Sequence, residues 1–169
     1  MARVSLNDRI VAKPRGTVAG AMAYAKRQGA KRQAFLQAYF DELYRLCGLL
    51  NFDFSILVGQ SDNETGSWRS AAWETYGNPA GLAITNSENK SLVYKTGTDA
   101  ARAHVVHMYG YRFGPVPTDH LLYQWIGLDG HYNELMASNA RDTRGDPLRG
   151  SVRTVGDFNV NGRWALLDR

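Results

Sequence analysis

At 169 residues, with 44% hydrophobic and 21% charged side chains, the chain is long enough to bury a core without covalent staples. Its single cysteine, Cys47, excludes an internal disulfide framework and any multi-cysteine metal site. No run of about eighteen apolar residues exists to cross a membrane, and the first residues lack the apolar stretch of a secretory leader.

The net charge of +4 favours polyanions, and Lys26, Arg27, Lys31 and Arg32 cluster within one short stretch. A solvated helix face is the plainer reading of that cluster, and no nucleic-acid partner is expected from it.

In chain order, residues 1–16 carry the breaker Pro14-Arg15-Gly16 and little periodicity, and read as an arm or attachment segment. Thr17 is placed to cap a helix to Gln28, with Val18, Met22 and Ala25 on one face. The clearest helix runs from Arg32 to Leu50, with Phe35, Leu36, Tyr39, Leu43, Leu46 and Leu50 at three- and four-residue spacing. Cys47 lies in its apolar run and reads as a small core residue. Asn51 to Asp53 would cap the next helix, Phe54 to Asn63, and Glu64 follows at its end.

From Gly77 to Gly97, turn residues flank the apolar stretches Leu82-Ala83-Ile84 and Leu92-Val93-Tyr94, predicting a small β-hairpin lobe. Thr98-Asp99 would cap a helix from Ala100 to Tyr111, and Thr118-Asp119 one from His120 to Ile126. A short helix is expected over Tyr132 to Ser138, then a polar loop from Asn139 to Arg149. The expected class is mainly α (α+β), with a small β-hairpin lobe after Glu64. The division is an arm or docking segment, residues 1–34, and a domain, residues 35–169.

The chemistry centres on Gln60-Ser61-Asp62-Asn63-Glu64-Thr65-Gly66-Ser67-Trp68, with Asn78-Pro79-Ala80-Gly81 beyond it. Glycoside cleavage needs a protonated carboxylic acid beside the leaving oxygen, and usually a second carboxylate or a substrate-borne group. Staying protonated requires partial desolvation against apolar surface, which Glu64 has beside Trp68 and Trp73. A surface glutamate at a helix end is the plain alternative. For a second acid the candidates are Asp62, Glu74, Glu88, Asp99 and Asp119, and none stands out. An N-acetyl sugar can instead use its own acetamido oxygen.

Sugar rings stack their C–H faces on aromatic side chains, although core packing is the default role for any one of these. Trp68, Trp73, Tyr76, Tyr109 and Tyr132 are candidates for such a cleft. His104 and His107, three apart, could share a helix face, but no third zinc ligand or His-Glu-x-x-His pattern accompanies them. Gly-x-Ser-x-Gly and phosphate-cradling loops are absent. No metal or cofactor is expected.

Glu64-Thr65-Gly66 followed by Asn78-Pro79-Ala80-Gly81-Leu82 resembles the catalytic segment of the N-acetylglucosaminidases of glycoside hydrolase family 73, in the lysozyme-like superfamily. Further on, Thr98-Asp99-Ala100-Ala101-Arg102-Ala103-His104 is similar to that family's helix after the β-lobe. Gly130-His131-Tyr132 takes the place of a frequent Asp-Pro-Arg-Tyr, and Val152 to Asn159, continued by Gly162-Arg163-Trp164-Ala165, is similar to a Thr-hydrophobic-x-Asp-Leu-Asn-Gly-Arg-Trp-Ala ending of cell-wall hydrolase domains. The resemblance covers about residues 35–166. Asn63 departs from the histidine common before the glutamate, and Val160-Asn161 are extra.

The resemblance implies a lysozyme-like helical domain that hydrolyses the β-1,4 bond between N-acetylglucosamine and N-acetylmuramic acid of peptidoglycan. Glu64 would be the general acid and Tyr132 would orient the acetamido group or the attacking water. Asn78, Trp68, Trp73 and Tyr109 would bind sugar. With no leader, a phage lysin or virion-associated enzyme is expected, carried in the virion or released by host lysis. Residues 1–34 are then available to dock on other virion proteins. Two alternatives stand beside this reading: a structural tail protein that keeps the fold without catalysis, and a lytic transglycosylase.

Overall fold

The computed structural model describes residues 4–82, 92–139, 141 and 144–159. Six α-helices follow in chain order: α1 (Val18–Arg27), α2 (Gln33–Leu50), α3 (Phe54–Glu64), α4 (Ala71–Tyr76), α5 (Gly97–Phe113) and α6 (Tyr132–Ala137). Two 3-10 helices, Leu121–Leu128 and Val155–Asn159, are the other helical elements among the described residues. The protein is mainly helical, and no described helix is long and apolar enough to cross a membrane. Extended pairing among the described residues is limited to three isolated antiparallel bridges: Arg9 with Thr154, Val11 with Phe52, and Arg141 with Pro147.

The caps explain where the helices begin. Thr17 accepts from the Gly20 amide to start α1, and Asp53 accepts from the Ser55 amide to start α3. The expected cap at Thr98-Asp99 is displaced to Thr96, whose hydroxyl accepts from the Asp99 amide and donates to the Asp99 carboxylate. The Thr96 hydroxyl thus caps the helix and holds the Asp99 carboxylate at its first turn. The helix at Leu121–Leu128 starts at His120 rather than at Thr118-Asp119: the His120 Nδ1 accepts from the Leu122 amide. α4 was not expected; Ser70 caps it and Gly77, at φ 62°, ends it.

α2 and α5 form the frame and run parallel. Gly97 lies against Phe35 and Tyr39, Arg102 against Glu42, His104 against Tyr39, and Phe113 near Phe52, so both chains advance in step. The approach at the start of α5 is so close that a Cβ on Gly97 would stand 2.1 Å from the Phe35 carbonyl oxygen. Only a residue without a side chain permits that crossing. Midway, Glu42 on α2 accepts from Arg45 and Arg102, while the Arg102 guanidinium lies 4.6 Å from the centre of the Trp125 ring. The two arginines, Arg45 first, hold the Glu42 carboxyl below its usual pKa despite its burial.

α5 is buried on most of its circumference, with Ala100, Ala101, Ala103, Val105, Val106 and Met108 all inaccessible. It therefore lacks a polar face, unlike the amphipathic α2. Small residues at its N-terminal half are what let α2 come near.

No change of packing marks the expected boundary at residues 34 and 35. Ile10, Ala21, Ala25 and Ala30 are buried in the same core as Leu36 and Phe40. The Ile10 amide donates to Arg153, and the Ile10 carbonyl accepts from the Asp53 amide. Arg15 pairs with Asp8 and with the buried Asp53. The segment read as an arm lacked periodicity because it is held by backbone bonds to distant residues. The expected turn Thr85-Asn86-Ser87-Glu88-Asn89, within residues 83–91, and the tail with Trp164 lie outside the described residues. Leu92–Tyr94 forms no strand: the Tyr94 amide donates to Tyr76 and its hydroxyl to the Leu128 carbonyl.

Candidate active site at the end of α3

Glu64 is the last residue of α3, half-buried, and three consecutive residues in the left-handed region follow after Thr65: Gly66, Ser67 and Trp68, at φ 56°, 60° and 57°. For non-glycine residues this conformation costs about 1–2 kcal/mol each. Thr65 offsets it. Its hydroxyl donates to the Ser61 carbonyl at 2.6 Å and accepts from the Trp68 amide at 2.9 Å. The tight turn sends the chain back along the helix end and drives the Trp68 side chain inward.

Trp68 is therefore not the exposed stacking surface expected of it. It is fully buried, its Nε1 donates to Ser61 Oγ at 2.9 Å, and Phe40 meets its ring edge-on at 5.4 Å. Trp73 is likewise fully buried, donating to the Lys31 carbonyl and packed edge-on by Phe35. Neither indole has a face open to a sugar. Both instead belong to the core packing, Trp68 against Tyr24 and Phe40 and Trp73 against Phe35 and Tyr39.

Asn78 is also buried, and its side chain is fully employed within its own loop. Its Oδ1 accepts from the Ala80 and Leu82 amides, and its Nδ2 donates to the Leu82 carbonyl at 2.6 Å. Asn78 is thus a staple for the Asn78–Leu82 loop rather than a sugar ligand. The stapled loop carries Gly81, at φ 62°, up to the glutamate: a Cβ built there would sit 3.5 Å from Glu64 Oε2. Oε1 of Glu64 has less than 1 Å² of exposed surface. The structure brings together Glu64 and the Asn78-to-Gly81 segment, fourteen to seventeen positions apart in sequence.

Of the second-acid candidates, Asp62 alone adjoins Glu64 along the described chain. Its Oδ2 accepts from the Tyr24 hydroxyl of α1 at 2.9 Å, while Oδ1 is buried with no hydrogen-bond partner among the described residues. The Tyr24 pKa is raised, first by burial and then by that bond. Glu74 and Asp119 are exposed, and Asp99 serves the α5 cap and approaches Arg102. Tyr24 carried no sequence signal toward this site, because α1 and α3 meet only in the fold.

Tyr132, expected in the cleft, is 7% exposed, and its hydroxyl accepts from the Val116 amide at 2.7 Å. It fastens α6 to the connection after α5. Tyr109 is half-buried between the Phe113 and His120 rings, each at 4.8 Å, and burial followed by the charge of Tyr132 raises its pKa.

His104 and His107 do not act together. His104 is fully buried, bonded through Nδ1 to the Tyr39 hydroxyl at 2.7 Å and through Nε2 to Gln60 Oε1 at 2.9 Å. His107 Nδ1 instead meets the buried Asp129 at 2.8 Å. Burial, with a smaller contribution from His107, brings the His104 pKa down to about 3. Gln60 lies one turn before Glu64 on α3, so this network fixes the helix that presents the glutamate.

Comparison with protein-family models, with curated proteins and with solved structures gives no significant match to this chain.

Proposed function

We propose that the protein is a peptidoglycan hydrolase of the N-acetylglucosaminidase type, with Glu64 as the general acid. The observation that carries this reading is the position of its carboxyl group. It stands at a helix end, half-buried, with Oε1 enclosed and Oε2 close to Gly81. A carboxyl group in such a setting is disposed to hold a proton for a leaving oxygen. The order of Glu64-Thr65-Gly66 and Asn78-Pro79-Ala80-Gly81, which resembles glycoside hydrolase family 73, adds the substrate class.

In this mechanism Glu64 protonates the glycosidic oxygen as the bond to the anomeric carbon breaks. The positive charge that develops on the ring is met by the acetamido oxygen of the N-acetyl sugar or by water. Thr65 and Asn78 hold the two backbone segments between which the glutamate lies. Such an enzyme meets its substrate in the bacterial wall, from a virion or after host lysis.

Mass spectrometry of digested peptidoglycan tests the reading. Reducing N-acetylglucosamine ends are expected. Anhydro-muramic ends would instead identify a lytic transglycosylase, and no product a structural protein. Glu64→Gln is expected to lower the rate by roughly 10²–10⁴-fold with unchanged circular dichroism. Full activity in that variant would refute the assignment.

A further inference from the structure

The cleavage chemistry leaves one charged feature of the fold unused. Lys26, Arg27, Lys31 and Arg69 are all exposed, and among the described residues no ion pair engages any of them. Arg32, the fourth member of the sequence cluster, does not belong with them. Its guanidinium lies 4.0 Å from the centre of the Phe35 ring and donates to the Trp73 carbonyl, so it is part of the packing.

The other four are drawn into one patch by the fold. Lys26 and Arg27 end α1, and the Gly29 amide donates back to the Lys26 carbonyl. A Cβ at Gly29 would be 3.8 Å from Arg69 Cδ, and the Lys31 amide donates to the Trp68 carbonyl at 2.9 Å. Arg69 Nε donates to the carbonyl of Gly66, two residues beyond Glu64. Arg27 acts electrostatically on Tyr24, the partner of Asp62. The patch therefore borders the turn that follows the proposed acid.

We propose that this patch binds the anionic groups of the wall polymer and so holds the strand beside Glu64, an inference that rests on the reading of that site as a peptidoglycan hydrolase. Two features favour a substrate contact over a solvated helix face. The charges come from two distant stretches, residues 26–31 and Arg69, and they converge on the edge of the glutamate turn. Four cations unneutralised by the protein raise the local concentration of a polyanion and retain it once bound. The anionic chemistry has two sources in a wall: carboxylates of the peptide stems, and phosphodiesters of attached polymers.

The test is co-sedimentation with insoluble wall, comparing Glu64→Gln with the same protein carrying Lys26→Gln, Arg27→Gln and Lys31→Gln. The Glu64→Gln background prevents cleavage, so binding is read separately from hydrolysis. Failure of the hydrolase reading would appear in the product analysis and not here. At about 0.05 M salt the triple substitution is expected to weaken binding roughly five- to tenfold, and at about 0.5 M the two proteins should converge. Weakening on both untreated wall and wall stripped of phosphodiester polymers assigns the contact to stem carboxylates. Weakening on untreated wall alone assigns it to phosphodiesters. Equal binding by the two proteins on both preparations would overturn the proposal. So would tighter retention on duplex DNA than on either wall. A matched thermal midpoint establishes that the substitutions leave the fold unchanged.

Discussion

Acidification should destabilise this protein earlier than its carboxylates alone would, and the cause is His104. Its imidazole is sealed between Tyr39 and Gln60 and holds a pKa of about 3, against 6.5 for the unperturbed side chain. The unfolded chain therefore takes up a proton near pH 6.5 while the native protein does not. The neutral ring's contribution is complete above that value and is lost progressively as the pH falls toward 3.

Between about pH 7 and pH 4.5 the linkage relation gives a loss of roughly 2–3 kcal/mol from this one residue. Urea unfolding at both pH values, on the parent and on His104→Gln, measures it. Glutamine at that position carries no charge at any pH, so the variant should start less stable but lose less on acidification. An identical loss in both proteins would refute the reasoning, as would a His104 ring titrating near 6.5 by NMR. Since Gln60 shares α3 with Glu64, hydrolysis at mildly acid pH should fall along with stability.

Gly97→Ala would place a methyl group 2.1 Å from the Phe35 carbonyl oxygen and 2.6 Å from the Tyr39 nitrogen. Both are backbone atoms, so no rotamer relieves the clash and α5 must retreat from α2. A loss of roughly 2–3 kcal/mol is expected, seen as a thermal midpoint lower by roughly 4–12 °C in calorimetry. Asn78→Ala strands the Leu82 amide and carbonyl and frees the loop that meets Glu64. It should cost roughly 2–4 kcal/mol and reduce wall hydrolysis, with Asn78→Asp, which keeps the acceptor, falling between. An unchanged hydrolysis rate in Asn78→Ala would show that the loop does not position the acid.

The long elements were legible because their signals are local. Phe35, Leu36, Tyr39, Leu43 and Leu46 repeat at helical spacing, and α2 is found where that spacing put it, within a residue at its start. The caps Thr17 and Asp53 were equally readable. Thr96 was missed because Gly97 directly after it reads as a breaker, whereas its role is to admit the neighbouring helix. That role is a property of two segments some sixty residues apart.

The site divides in the same way. Glu64 at a helix end could be read from the apolar run before it. The inward turn of Trp68 could not, since it depends on three successive left-handed residues and on a threonine bonded to both sides of them. Asn78 looked like a ligand because its type suits one. Only the loop geometry shows that its amide is already spent on Ala80 and Leu82.

The pairing of Ile10 with Arg153 and Asp53 sets an order on the making of this protein. A nascent chain that has emerged only as far as α5 can bring α2 and α5 together, but it has nothing to offer the Ile10 amide. The Ile10 carbonyl can meet Asp53 early, but the Ile10 amide and the Leu6 and Asp8 carbonyls wait for residues 153–156 to leave the ribosome. Until then the stretch before Ile10 lacks those partners, and a growing chain is open there for nearly as long as it is being made. Slowing synthesis between α6 and residue 153 should therefore prolong exposure of that seam to proteases, with cleavage concentrated before α1.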